Sequence, residues 1–116
     1  MKKKIITLFV YGTLKSNGLN NSWLNSEGVF VDKGWVHGEL YVDFLPYLFE
    51  GKDKIKGEVY KVPLNVYKAI ENMEVNAGYY AKNVKVHLAK KNVTAKVFYH
   101  TGLYVDFKRA RRTTEY

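Results

Sequence analysis

Hydrophobic positions along this chain mostly follow a two-residue period, interrupted once by a helical one. The first apolar run, Ile5-Ile6-Thr7-Leu8-Phe9-Val10, is continuous and β-branched, as in a strand buried on both faces. It stops abruptly at Tyr11-Gly12-Thr13-Leu14. The polar stretch Lys15–Ser26, rich in Asn and Ser, reads as a loop with one short helical turn near Leu19–Leu24. Strand patterns resume at Val29–Val31 and at Gly34–Val42, where Trp35, His37, Glu39 and Tyr41 alternate with Val36, Gly38, Leu40 and Val42. Asp43–Gly51, which carries Pro46, reads as a loop, and Ile55–Val62 as a further strand. Pro63 closes that strand and suits the start of a helix. Val66, Ile70 and Met73, flanked by Tyr67 and Glu74, then repeat with helical spacing up to a stop at Gly78. Tyr80–Leu88 and Val93–Thr101 are β-rich and joined at Lys90-Lys91-Asn92, a hairpin signal. From Gly102 the chain is basic and without a regular pattern.

About six strands and one helix exclude a doubly wound sheet. The pattern predicts an α+β domain: a small, mixed, strongly curved, β-barrel-like sheet with one main helix packed on it. Gly34, Gly38 and Gly57 lie inside strand patterns, as tight barrel bends require. At 116 residues the chain is read as a single domain, 1–116, with a basic tail from about 102.

Composition narrows the chemistry. There is no cysteine, so disulfides, thiol nucleophiles and cysteine-based metal sites are excluded. No apolar stretch is long enough to span a bilayer, and the run behind Lys2-Lys3-Lys4 is too short for a signal peptide, which points to the cytoplasm and away from membranes. The net charge of +8 invites a nucleic-acid reading. Its two basic runs, Lys2–Lys4 and Lys108–Arg112, are terminal, however, and no helix-turn-helix, RNP-type or zinc motif accompanies them. A nucleic-acid partner is therefore not favoured. Whether the chain forms a homodimer is left open.

Three scattered histidines, His37, His87 and His100, have no metal-ligand spacing and read as ordinary strand residues. No nucleophile elbow and no phosphate loop is present. Two places remain. At Gly12 a strand delivers a small-residue turn, which either merely ends the strand or brings backbone N–H groups to a bound carbonyl or carboxylate. Glu74 lies four residues after Ile70 and seven after Tyr67, so it shares the inward helix face in the last turn. Burial and the helix dipole both oppose its negative charge and would raise its pKa toward the range useful for proton transfer. Either it takes part in chemistry or it pairs with a lysine such as Lys82; Glu71 is the rival acid, read as pairing at the helix surface. Most of the ten tyrosines read as packing, and Tyr11, Tyr79 and Tyr80 stand apart because they flank these two places.

Several short motifs occur in order: Tyr11-Gly12-Thr13-Leu14, Gly38-Glu39-Leu40-Tyr41, Pro46-Tyr47-Leu48, Gly57-Glu58-Val59-Tyr60, Ile70-Glu71-Asn72-Met73-Glu74-Val75 and Tyr80-Ala81-Lys82. The ordered set resembles the γ-glutamylcyclotransferase-like family, which includes γ-glutamylamine cyclotransferases and AIG2-like proteins. The resemblance implies that fold, and a cofactor-independent and metal-free reaction releasing 5-oxoproline and an amine from a small γ-glutamyl substrate. It implies Glu74 as the catalytic acid/base, with Tyr11, Gly12, Thr13 and Leu14 cradling the γ-glutamyl group and Tyr80 lining the same cavity. Val75, Glu71 and Lys82 depart from the family's usual glycine, aspartate and arginine, which bears on substrate more than on fold. The alternative is a non-catalytic protein of the same fold that binds a small carboxylate metabolite.

Overall fold

Along β1 (Ile5–Val10) successive side chains enter two different cores, which is why its apolar run is unbroken. Phe9 packs in one cluster with Val36, Leu40, Leu48, Ile55, Val59, Val86 and Val97. Leu8 and Val10 pack in the other, with Val62, Tyr67, Ile70 and Phe98. The first cluster fills the interior of a barrel and the second lies between that barrel and a helix. Fully burying a side chain such as Leu8, Leu40 or Ile70 contributes about 1.5–3 kcal/mol each. The structure, a computed structural model, describes residues 4–15, 24 and 27–116. The expected helical turn near Leu19–Leu24 falls almost wholly outside them.

The barrel is built from β1, β2 (Val29–Asp43), β3 (Leu45–Pro63), β4 (Tyr79–Leu88) and β5 (Asn92–His100), in the order β3-β1-β5-β4-β2, and it closes through β2 on β3. The sheet is mixed: β1 and β5 run parallel at Leu8 and Lys96, and the other neighbours are antiparallel. A sixth strand, β6 (Arg111–Thr113), lies outside the closure on β2. So few strands leave an interior that side chains fill. Gly34 and Gly57 pair directly across β2 and β3, and the Phe9 ring lies against Gly57 where a side chain would otherwise stand.

Two expectations differ from this architecture. The segment Asp43–Gly51 is not a loop: β2 and β3 continue past a register shift at Gly38 and Glu39 as a two-stranded arm, turning at Phe44 with φ 63°. Pro46 sits near the tip of that arm, where a missing N–H costs the ladder little. Nor is the basic tail without structure. It turns twice after Gly102 and adds β6 to the arm, pairing Tyr41 with Arg112. Three residues at a sheet edge carry too little alternation to be read as a strand.

The helix α1 (Leu64–Asn76) starts where Pro63 predicts, since Pro63 takes the N-cap position and Leu64 donates its N–H to the Lys4 carbonyl at 3.0 Å. Tyr67 and Ile70 are its buried residues, and the Tyr67 ring stacks on Phe98. Gly78 ends it at φ 94°, a left-handed conformation that glycine adopts without strain. The polypeptide then enters β4 directly, so the last helical turn is held against the end of the barrel.

Candidate functional site

The turn after β1 and the end of α1 meet at one cavity of about 150 Å³. Tyr11, Gly12, Thr13 and Leu14 form one wall, Met73, Glu74 and Ala77 another, and Leu45, Pro46, Tyr79 and Phe98 complete it. Pairing of β1 with β3 and β5 brings the turn there, and the packing of Tyr67 and Ile70 aims the same end of the helix at it. A cavity of this size takes a group about as large as benzene, so it fits a small head group.

Gly12 has a different reason for being glycine than the one its position after a strand suggests. Its φ is not in the left-handed region. Instead a Cβ there would run into the Pro46 ring. Glycine thus lets the turn and the β2–β3 arm close on each other, while its carbonyl accepts the Lys15 N–H at 3.0 Å.

Glu74 is half-buried in the last turn of the helix. Burial raises its carboxyl from 4.5 to about 7, because the apolar lining penalises the charged form. Among the described residues it takes part in no ion pair. Lys82 pairs with Glu50 instead, and Glu71 is occupied by the Tyr67 hydroxyl at 2.8 Å, one helical turn away. A carboxyl poised near neutrality in a cavity is suited to taking and returning one proton.

Two phenols flank it. Tyr11 is buried and donates its hydroxyl to the Phe98 carbonyl at 2.5 Å. Tyr79 is buried and donates to the Pro46 carbonyl. Burial first, and the nearby Glu74 charge among the further causes, hold both phenols well above their ordinary range. Both therefore stay neutral, with their protons committed to backbone acceptors. Their rings shape the cavity.

Tyr80 is a correction. It does not line this cavity; its ring is 40 % exposed and stacks on Tyr99. Neighbours on a strand face opposite sides, so if Tyr79 enters the cavity Tyr80 cannot. The doublet Tyr79-Tyr80 after the helix was the signal, and strand alternation selects its first member. Leu45 and Pro46 join the wall without a local signal, because Pro46 and Gly51 give their segment the composition of a loop.

Among the described residues no group of three or more His, Asp or Glu side chains is placed to hold a metal ion. His37 and His87 lie with Trp35 in one ring cluster, away from this cavity. No described helix is long and apolar enough to cross a membrane.

Comparison with known proteins adds identity to the geometry. A protein of Pyrococcus horikoshii, PH0828, is 34 % identical over 90 residues, which cover 77 % of each chain. Its crystal structure superposes with a TM-score of 0.73, covering 94 % of this chain and 86 % of that one. The crystal structure of a mouse AIG2-like protein shares the fold at a TM-score of 0.85 with 18 % identity, over 97 % of this chain and 88 % of the other. Residues 8–115 match the family described as gamma-glutamyl cyclotransferase, AIG2-like. The chain belongs to the AIG2-like gamma-glutamyl cyclotransferase family.

Proposed function

We propose that this protein is a cofactor-independent cyclotransferase that releases 5-oxoproline and an amine from a γ-glutamyl amine or a related γ-glutamyl compound. The observation that carries the reading is that Glu74 and the Gly12–Leu14 turn, more than fifty residues apart in sequence, line one small cavity.

The chemistry needs little. The substrate's α-ammonium loses a proton to Glu74. The resulting amine attacks the γ-carbonyl carbon, closing a five-membered ring and placing negative charge on the carbonyl oxygen. Backbone N–H groups of the Gly12–Leu14 turn are the proposed donors to that oxygen. The attacking nitrogen still carries one proton too many. As the bond from the γ-carbon to the departing nitrogen breaks, that proton and the one held by Glu74 both pass to the departing nitrogen, so that 5-oxoproline is released as the neutral lactam and the amine leaves as its ammonium. One carboxyl near neutrality serves as base and then acid, contributing on the order of 10²–10⁴-fold. Reaction within one molecule already supplies proximity, so the cavity's main task is to hold the bent conformer. The balance closes without metal or redox cofactor.

The test is 5-oxoproline formation over a panel of γ-glutamyl amides, with Glu74→Gln as control. Turnover that is lost in the variant supports the reading. Saturable binding of γ-glutamyl compounds with no product from any of them would replace it by the carboxylate-binding alternative.

A further inference from the structure

His100 closes β5 with its ring buried and both nitrogens engaged. Nδ1 accepts the Gly102 N–H at 2.9 Å, so Nε2 carries the proton and donates to the Ala77 carbonyl at 3.1 Å. Ala77 is the C-cap of α1, three residues beyond Glu74, and its own N–H donates to the Glu74 carbonyl at 3.0 Å. Gly78 passes so near that a Cβ there would stand 2.8 Å from Nε2, and the Gly78 carbonyl accepts the Thr101 N–H at 3.0 Å. The titratable groups packed on the ring are Tyr47 of β3, 4.8 Å between centroids, and Tyr79 of β4, at 4.7 Å. Phe49 adds a third aromatic neighbour.

We propose that His100 is a positioning residue, whose Nε2–H bond to the Ala77 carbonyl holds the last turn of α1, and with it Glu74, at the cavity. The inference rests on Glu74 being the proton-transfer group. Last helical turns fray because their carbonyls lack intrahelical partners. Glu74 lies in such a turn, and a carboxyl among apolar walls, in no ion pair among the described residues, gains hydration by moving outward. The imidazole supplies one of the missing donors from the barrel side. The burial of Glu74 thus depends on a bond that Glu74 does not itself make. Burial also lowers the His100 pKa, against an opposing pull from the Ala77 carbonyl, which favours the neutral tautomer this arrangement uses.

Two substitutions separate the two nitrogens. His100→Gln can place an amide N–H near Nε2 and keep the Ala77 bond while giving up the Gly102 one. His100→Asn can keep an acceptor near Nδ1 and give up the Ala77 bond. The readout is the titration of the Glu74 carboxyl, followed by carbon NMR in the full chain, which needs no turnover. Glutamine is expected to leave that titration at its wild-type position, and asparagine to move it downward by about one pH unit as the carboxyl gains water. The acid limb of kcat should move the same way in asparagine alone, whereas a merely structural histidine would change the yield of folded protein and leave the limb in place. An unmoved titration in His100→Asn, or an equal shift in His100→Gln, overturns the proposal. If the asparagine variant does not fold, His100→Ala read beside glutamine decides it: a lowered titration in alanine with a wild-type one in glutamine supports the clasp, and an unmoved titration in alanine or a lowered one in glutamine overturns it. Absence of turnover in the wild type would remove the functional reading, while the NMR titration would still judge the clasp.

Discussion

The Pro46 ring occupies the space that a side chain on Gly12 would need. The contact joins the turn after β1 to the tip of the β2–β3 arm, and both lie in the cavity wall. Gly12→Ala forces one of them to move. Overpacking of this kind typically costs about 1–3 kcal/mol, and here the displaced wall is also the proposed substrate cradle. The expected outcome is a lower denaturation midpoint at unchanged m-value together with a loss of 5-oxoproline formation. Wild-type stability in Gly12→Ala would show that the arm yields freely.

Much of this arrangement can be read from the sequence, for identifiable physical reasons. Alternation in Gly34–Val42 and Ile55–Val62 marks barrel strands because their inward residues, Val36, Leu40, Ile55 and Val59, are buried. Pro63 and Gly78 bracket the helix because each has a backbone property that the element's ends require. Glu74 is legible as an acid against its local preferences. The arm was not legible: Pro46 and Gly51 suggest a loop, and only pairing with β2 makes strand of that segment. Tyr79 and Tyr80 both stand out beside the helix end; the motif Tyr80-Ala81-Lys82 points to Tyr80, whereas strand alternation turns Tyr79 toward the cavity. His100 gave no local signal, since Ala77, the partner that ties it to the helix, is brought to it only by the fold.

The two adjacent tyrosines should therefore behave differently. Tyr79→Phe removes the donor to the Pro46 carbonyl and leaves a buried acceptor, a loss of roughly 1–3 kcal/mol. It also loosens the Pro46 wall, so turnover should fall. Tyr80→Ala alters a partly exposed ring outside the cavity and should keep turnover within about twofold, as surface substitutions usually do. Steady-state kinetics of the pair decide it; the reverse order would return Tyr80 to the site.

The basic tail is engaged by the protein itself. Arg112 bridges Asp53 at 2.9 Å and Glu39 at 3.9 Å, Arg109 approaches Asp43 at 3.6 Å, and Lys15 donates to the Tyr116 carbonyl at 2.9 Å. The arginine pairs are exposed and screened by salt, so Arg112→Ala should leave the melting temperature almost unchanged. Lys15 is buried, and truncation after residue 110 would remove both its partner and β6. That truncation should lower stability by roughly 1.5–3 kcal/mol, since Lys15 loses the acceptor of its hydrogen bond. Calorimetry compares the two. A salt-sensitive affinity for single-stranded DNA that disappears on truncation would instead make the tail a binding element.

Glu74→Gln should abolish turnover and, at the same time, stabilise the protein above neutral pH. In the fold the Glu74 carboxyl holds its proton up to about 7, against 4.5 in the ordinary state. Below 4.5 both folded and unfolded chains carry that proton, and the residue imposes no penalty. As pH rises from there toward 7 the unfolded chain releases the proton first, so folding stability declines; above about 7 the full cost of a buried carboxylate is present. Glutamine keeps the neutral form at every pH. The variant should match the wild type near pH 4 and exceed it by on the order of 1–3 kcal/mol at pH 8. Turnover in the wild type should show an acid limb near 7, where Glu74 becomes able to accept a proton, and the variant should lose at least about 10²-fold across the range. Denaturant titrations at pH 4 and pH 8 measure the first effect and a pH–rate profile the second. Equal stability at pH 8 would place the carboxyl in water, and undiminished turnover in Glu74→Gln would take it out of the chemistry altogether.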